Sequence, residues 1–262
     1  MRMRKKKHLE PRMEACALWQ EKSPAEWKGR WREKMPDARE VRLELGCGKG
    51  RFTVETARRE PDVLFLAVER IPDALVMAME RAKELALNNV VFICDDAALL
   101  SDWFAPDEID RIYINFCDPW PSKKHAKRRL THEGFLKSYR DVLRSGGQIH
   151  FKTDNRPLFE FSLTQFPRAG YDLSEVSFDL HGEQDDVVMT DFETVFHEQG
   201  VKINRCVGTK AALPDVLGEE PALGLLSYWQ EGDPIPRGLE KYVREHEIAL
   251  QAAKKNQHTD SQ

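Results

Sequence analysis
The chain has 262 residues, 41% of them hydrophobic, which is enough apolar material for one full α/β core and excludes a short repeat array. Its net charge of -4 excludes a protein that coats nucleic acid over its whole surface, so any polyanion grip must be a local patch. The five cysteines are scattered (16, 47, 94, 117, 206), with no Cys-x-x-Cys, no histidine at metal-ligand spacing and no apolar run of membrane-spanning length, which argues against a disulfide framework, a metal site and a membrane anchor.

Residues 1–38 read as a basic, tryptophan-containing and partly flexible N-terminal segment, opened by Arg2, Arg4, Lys5, Lys6 and Lys7. Glu10, Pro11, Arg12 and Glu14 follow where a signal peptide would have its apolar run, so secretion is not expected and a reducing cytoplasm is. From about residue 40, short apolar runs alternate with helical segments, the sign of βαβ units and a mainly parallel sheet with helices on its faces. Strands are expected at Val41–Leu45, Val63–Val68, Val90–Cys94, Arg111–Phe116 and Gln148–Lys152. Between the last two, Thr131 reads as an N-cap, and Phe135, Leu136, Tyr139, Val142 and Leu143 repeat at helical spacing before a stop at Gly146-Gly147. Tyr171–Leu180 and Val201–Cys206 are expected to close the sheet as a strand pair. A domain over 39–206 results, followed by an extension, 207–262, with no assignable role. In that extension Leu239, Tyr242, Val243, His246 and Leu250 make one weak amphipathic face.

The chemistry clusters at strand ends. Leu45 is followed by Gly46-Cys47-Gly48-Lys49-Gly50, a Gly-x-Gly-x-Gly loop, and Glu69 closes the next strand about twenty residues on, the distance at which an acid bonds a ribose diol. A dinucleotide fingerprint needs glycine where Arg51 stands, and Glu44 would repel a pyrophosphate. A cationic sulfonium with an α-amino group suits that charge better, so S-adenosylmethionine is expected over NAD, with Asp96 at the third strand end placed for the adenine amine. Taken singly, each acid is more often a cap or a surface charge. The next strand ends in Asn115-Phe116-Cys117-Asp118-Pro119-Trp120-Pro121, a turn stiffened by two prolines. Phe116 or Trp120 can offer a stacking surface there, although Trp120 equally reads as a core plug. The basic run Lys123, Lys124, His125, Lys127, Arg128 and Arg129 suits a phosphate backbone, or else a solvated face. Asp154, after the fifth strand, faces the same rim or caps the next helix.

These residues resemble the bacterial tRNA (guanine-N7-)-methyltransferases. The resemblance is carried, in order, by Glu44–Gly50, Asn115–Pro121, Lys127–Leu130, Lys152-Thr153-Asp154-Asn155 and Thr190-Asp191-Phe192-Glu193. It implies a class I methyltransferase, that is, a Rossmann-like and mainly parallel seven-stranded sheet. It also implies S-adenosyl-L-methionine as methyl donor and the variable-loop guanosine of tRNA as target. Glu44, Gly46, Gly48, Gly50, Glu69, Asp96 and Asp118 then surround the cofactor, Asp118 being the catalytic-site acid. Lys123, Lys124, Lys127, Arg128, Arg129, Asp154 and Thr190 to Glu193 lie on the substrate side, with Asp154 or Glu193 as the guanine reader. The chain departs from the family pattern at Cys117, usually proline, and at Ser122, usually lysine, for which Lys123 is the substitute one residue on. No metal is implied, and a monomer or homodimer is expected. Two other classes fit less well: a methyltransferase for an exocyclic base amine, which wants a second proline where Trp120 stands, and a noncatalytic RNA-binding or assembly subunit.

Overall fold
The computed structural model describes residues 6–214 and Arg244. The amphipathic face expected from Leu239 to Leu250 lies outside the described residues. An eight-stranded sheet orders its strands β1-β4-β3-β2-β5-β6-β8-β7. They are β1 (Gln20–Glu21), β2 (Glu40–Leu45), β3 (Val63–Val68), β4 (Val90–Ile93), β5 (Ile109–Asn115), β6 (Leu143–Thr153), β7 (Tyr171–Ser177) and β8 (Asn204–Lys210). All neighbours run parallel except β8, which is antiparallel to both β6 and β7. The expected seven strands are thus present, and the eighth is the two-residue β1 pairing with Phe92 and Ile93 at the β4 edge.

Strands covered on both faces should read as continuous apolar runs, and β3 does: every residue from Val63 to Val68 is buried. The period of two divides them. Leu64, Leu66 and Val68 join the apolar layer under α4 (Leu100–Trp103), α5 (Glu133–Val142) and α6 (Arg156–Arg168). Val63, Phe65 and Ala67 join the layer under α2 (Arg51–Arg59) and α3 (Pro72–Glu84). The N-terminal segment is packed on this frame. Helix α1 (Leu9–Glu14) is tied to α3 by Arg12 and Glu80 at 2.7 and 2.6 Å, and buried Trp31 donates its indole N–H to the Trp103 carbonyl at 2.9 Å. Short α7 (Leu180–Glu183) and α8 (Asp191–Glu198) lie in the crossover between β7 and β8.

Several boundaries differ from the sequence reading. The N-cap of α5 is His132, whose Nδ1 accepts from Gly134 N at 3.0 Å, while Thr131 is buried with its Oγ1 2.7 Å from Ser162 Oγ. Gly146 and Gly147 do not end that helix; it stops at Val142, and the glycines lie in the register shift that opens β6. A β-carbon on Gly147 would meet the Arg144 and Asp110 carbonyl oxygens at 2.9 and 3.0 Å, so packing rather than capping requires glycine there. The strand expected to reach Leu180 stops at Ser177, and the one expected at Val201–Cys206 runs from Asn204 to Lys210.

Candidate functional site
The chain leaves β2 for the side of β3 and β4 and later returns to β5 and β6 on the other side, so the sheet switches direction between β2 and β5. Open α/β sheets take ligands at that point, outside the carboxyl ends of the strands. Every acid expected at the cofactor lies there, in or just after β2, β3, β4 and β5.

The glycine loop turns through three positive φ angles, 77° at Gly46, 57° at Gly48 and 73° at Gly50. Its first two glycines open outward, since a β-carbon on Gly46 or Gly48 would meet nothing within 4 Å. Gly50 is different. A β-carbon there would overlap Ala78 Cβ and lie 2.9 Å from Ala78 Cα, so glycine at position 50 is what lets α2 approach α3. Glu69 braces the loop: one carboxylate oxygen accepts from Gly48 N at 3.0 Å and the other from Ile71 N at 2.8 Å. Glu44, 2% exposed, lies beneath and accepts from the Thr53 hydroxyl and from Asn115 Nδ2 at 2.9 Å. Burial pushes its carboxyl pKa up, against the pull of those two donors and of the Lys152 charge. Asn115 Oδ1 is buried without a partner among the described residues. Asp96 is exposed, caps the turn Ala97–Leu99 through Ala98 N at 3.0 Å, and stands 3.9 Å from Arg70.

An open cradle at Gly46 and Gly48, ringed by carboxylates, fits a cationic ligand with a ribose and rejects a pyrophosphate. That charge pattern is the S-adenosylmethionine pattern. Asp118 is exposed at the next strand end, in a turn whose Phe116 and Trp120 both have positive φ, 53° and 42°. Burial drives the Cys117 thiol pKa up to about 12, with the charges of Asp118 and Asp154 adding to the shift. Asp118 and Asp154 follow the paired ends of β5 and β6, where Asn115 lies opposite Lys152 and Phe116 N donates to the Lys152 carbonyl at 2.9 Å. Asp154 does not cap α6; Asn155 does, accepting from Leu158 N at 2.9 Å.

The basic run divides. Lys123, Lys124, Lys127 and Arg128 are exposed along the 3-10 helix Lys123–Arg128. Arg129, expected on a phosphate, is instead fully buried, donating to the Pro119 carbonyl at 3.1 Å and the Trp120 carbonyl at 3.0 Å with its guanidinium 4.3 Å from the Phe161 ring centre. It holds the turn from behind. Nor is Trp120 a core plug, being half-buried with Arg128 over its ring.

The motif Thr190 to Glu193 is the start of α8. Thr190 and Glu193 form a reciprocal capping box, each side chain accepting from the other's backbone N–H, at 3.0 and 3.1 Å. Glu193 is 0% exposed, pairs with Lys152 Nζ at 2.7 Å and sits 3.0 Å from His181 Nε2. With both oxygens engaged, it anchors α8 to the end of β6. Asp191 is likewise engaged, by Arg81 at 2.8 Å to each oxygen, whereas Phe192 is exposed. Sequence reasoning missed Lys152 and Asn115 as site residues. A lysine closing the apolar run of β6 was the available signal, because a buried cation needs a buried acid. Both line a cavity of about 260 Å³ with Phe52, Tyr113, His150 and Arg205. Among the described residues, no helix is long and apolar enough to cross a membrane, and no cluster of three His, Cys, Asp or Glu can hold a metal ion.

Strand order, glycine cradle and the row of acids define a class I S-adenosylmethionine-dependent methyltransferase. Residues 38–206 match the family described as "Putative methyltransferase". A tRNA (guanine-N(7)-)-methyltransferase of Brevibacillus brevis is 44% identical over 185 residues, covering 70% of this chain and 86% of that protein. Another, of Clostridium tetani, is 41% identical over 203 residues, covering 77% and 96%. Among solved structures, the 16S rRNA methyltransferase KamB shares the fold at a TM-score of 0.57 and 15% identity, over 70% of this chain and 94% of that one. The chain belongs to the tRNA (guanine-N7-)-methyltransferase family.

Proposed function
We propose that this protein transfers the methyl group of S-adenosylmethionine to N7 of a guanosine in tRNA, the variable-loop guanosine, as a cytoplasmic monomer or homodimer whose chemistry lies within residues 39–206. The observation that carries the reading is the open Gly46/Gly48 cradle ringed by Glu69, Asp96 and Asp118 at successive strand ends, beside an exposed basic helix. When bound, the cofactor supplies an electrophilic methyl group on a sulfonium. Gly46 and Gly48 admit it closely, Glu69 accepts from ribose hydroxyls, and Asp96 takes the adenine amine.

Guanine N7 carries an in-plane lone pair, so the reaction needs no proton removed. Alignment then dominates: positioning is worth up to ~7–11 kcal/mol, whereas a general base worth about 10²–10⁴-fold has no proton to take. Asp118 orients the reacting groups and is not a base. Asp154, after the neighbouring strand end, accepts from guanine N1–H and the exocyclic amine, a pairing that adenine cannot offer. Lys123, Lys124, Lys127 and Arg128 meet backbone phosphates. The experiment is incubation with undermodified tRNA and labelled donor, followed by nucleoside analysis. Label in 7-methylguanosine is expected; label in a methylated exocyclic amine, or donor binding with no transfer to any RNA, would overturn the reading.

A further inference from the structure
The most unusual residue of the site is Trp120. Its backbone has a φ of 42°, where a bulky side chain is strained, and the Pro119 and Trp120 carbonyls on either side are pinned by buried Arg129. Strain of this kind persists only where the surroundings over-determine it, and such positions gather at binding sites. The ring itself belongs to neither apolar layer of the core. His125 packs on its edge, with ring centres 5.8 Å apart and planes at 81°, and the Arg128 guanidinium carbon lies 3.7 Å from the ring centre. Among the described residues, no carboxylate pairs with Arg128; its guanidinium rests on the indole. The turn thus presents a pinned, half-buried aromatic face covered by one mobile-length cationic side chain, two residues from Asp118.

We propose that Trp120 is a stacking platform for an unstacked nucleobase of the tRNA, and that Arg128 covers the ring until the RNA displaces it onto a backbone phosphate. The inference rests on the reading of tRNA as substrate. Both halves of the exchange run downhill. A base stacked on an aromatic side chain is held more strongly than a guanidinium resting on an exposed ring, and the released guanidinium gains a two-pronged, charge-assisted partner. The pinned backbone keeps the platform in place while its cover changes.

The test uses the full chain, undermodified tRNA bearing a fluorophore, and the substitutions Trp120→Phe and Trp120→Leu. Trp120→Leu, which keeps an apolar side chain but has no ring, is expected to weaken tRNA binding roughly 10–100-fold. Trp120→Phe keeps a stacking face and should lose only a few-fold, with donor affinity unchanged in both. Adding tRNA to the wild-type chain should quench an emission component that Trp120→Phe lacks. Arg128→Ala should keep that quench while its salt slope falls by about 0.7–0.9. Wild-type affinity in Trp120→Leu, or equal loss in both variants, would overturn the platform. If Trp120→Leu does not fold, the quench decides, and its absence overturns the proposal. Methyl transfer by the wild-type chain is scored in parallel. Transfer without any effect at Trp120 sinks the platform alone, and failure of the wild-type chain to bind tRNA sinks the functional reading and the platform with it.

Discussion

Alanine at Gly50 should destabilise the fold more than alanine at Gly48, although both glycines sit in one loop at positive φ. The left-handed conformation costs an L-residue about 1–2 kcal/mol at either position. At Gly48 nothing more is added, because the new methyl group meets no atom within 4 Å. At Gly50 it is driven into Ala78 on α3, 2.9 Å from the Cα of a helix that cannot yield as a side chain would. Overpacking of that kind adds about 1–3 kcal/mol, for a total of about 2–5 kcal/mol. At roughly 3 °C per kcal/mol for a domain of this size, Gly50→Ala should melt about 6–15 °C below the wild type. Gly48→Ala should lose only about 3–6 °C on the same conversion. Urea and thermal unfolding read the stability, and calorimetry reads the donor. Gly50→Ala, once folded, should bind S-adenosylmethionine, whereas Gly48→Val should fold and not bind it. Combining Gly50→Ala with Ala78→Gly should reveal a coupling of at least about 1 kcal/mol, since the two positions touch. Equal melting temperatures for the two alanine variants, or additive effects at Gly50 and Ala78, would refute the division of the loop into a packing glycine and a ligand-facing one.

Glu69→Ala removes the acceptor of Gly48 N and the proposed acceptor of the ribose diol and should weaken donor binding by about 1.5–3 kcal/mol; unchanged calorimetric affinity in the folded variant contradicts the proposed role. Lys127→Ala should shallow the salt slope of tRNA binding by about 0.7–0.9, because its charge is exposed. Arg129→Ala should leave that slope alone and lower stability instead, by about 1.5–3 kcal/mol for each charged hydrogen bond lost to the turn, and a reduced slope would return Arg129 to the phosphates. Burial, with Arg111, Arg205, Arg42 and Lys152 nearby, holds the His150 imidazolium pKa well below its usual value. The unfolded chain therefore takes up that proton first, so the stability tied to neutral His150 is complete above about pH 6.5 and is lost as pH falls below it. His150→Gln should flatten the melting temperature between about pH 7 and pH 5 relative to the wild type, and parallel curves would contradict the assignment.

The parallel sheet was legible because strands buried on both faces leave unbroken apolar runs, as Val63–Val68 does, and because the glycine loop and Glu69 stand at the ends of two such runs. Boundaries were less legible where a residue type serves two purposes. Gly146 and Gly147 look like a helix stop but are needed where β6 opens with a register shift. Charged residues were hardest, since exposed and buried ones share a composition. Arg128 and Arg129 are neighbours in one basic run, yet one meets solvent and the other is wrapped by carbonyls and a phenyl ring. Only the fold of the turn separates them. The Glu193 carboxylate is likewise claimed by a lysine from a strand far earlier in the chain, a pairing that no local spacing announces.

The central claim, that alignment alone drives attack by an unprotonated ring nitrogen, is tested most directly by replacing the target guanosine of the tRNA with 7-deazaguanosine. That base keeps the N1–H and amine edge and loses only the nucleophile. The substituted tRNA should bind as the wild-type tRNA does, with no label transferred from S-adenosylmethionine in single-turnover assays. Methylation of the 7-deaza base would contradict it.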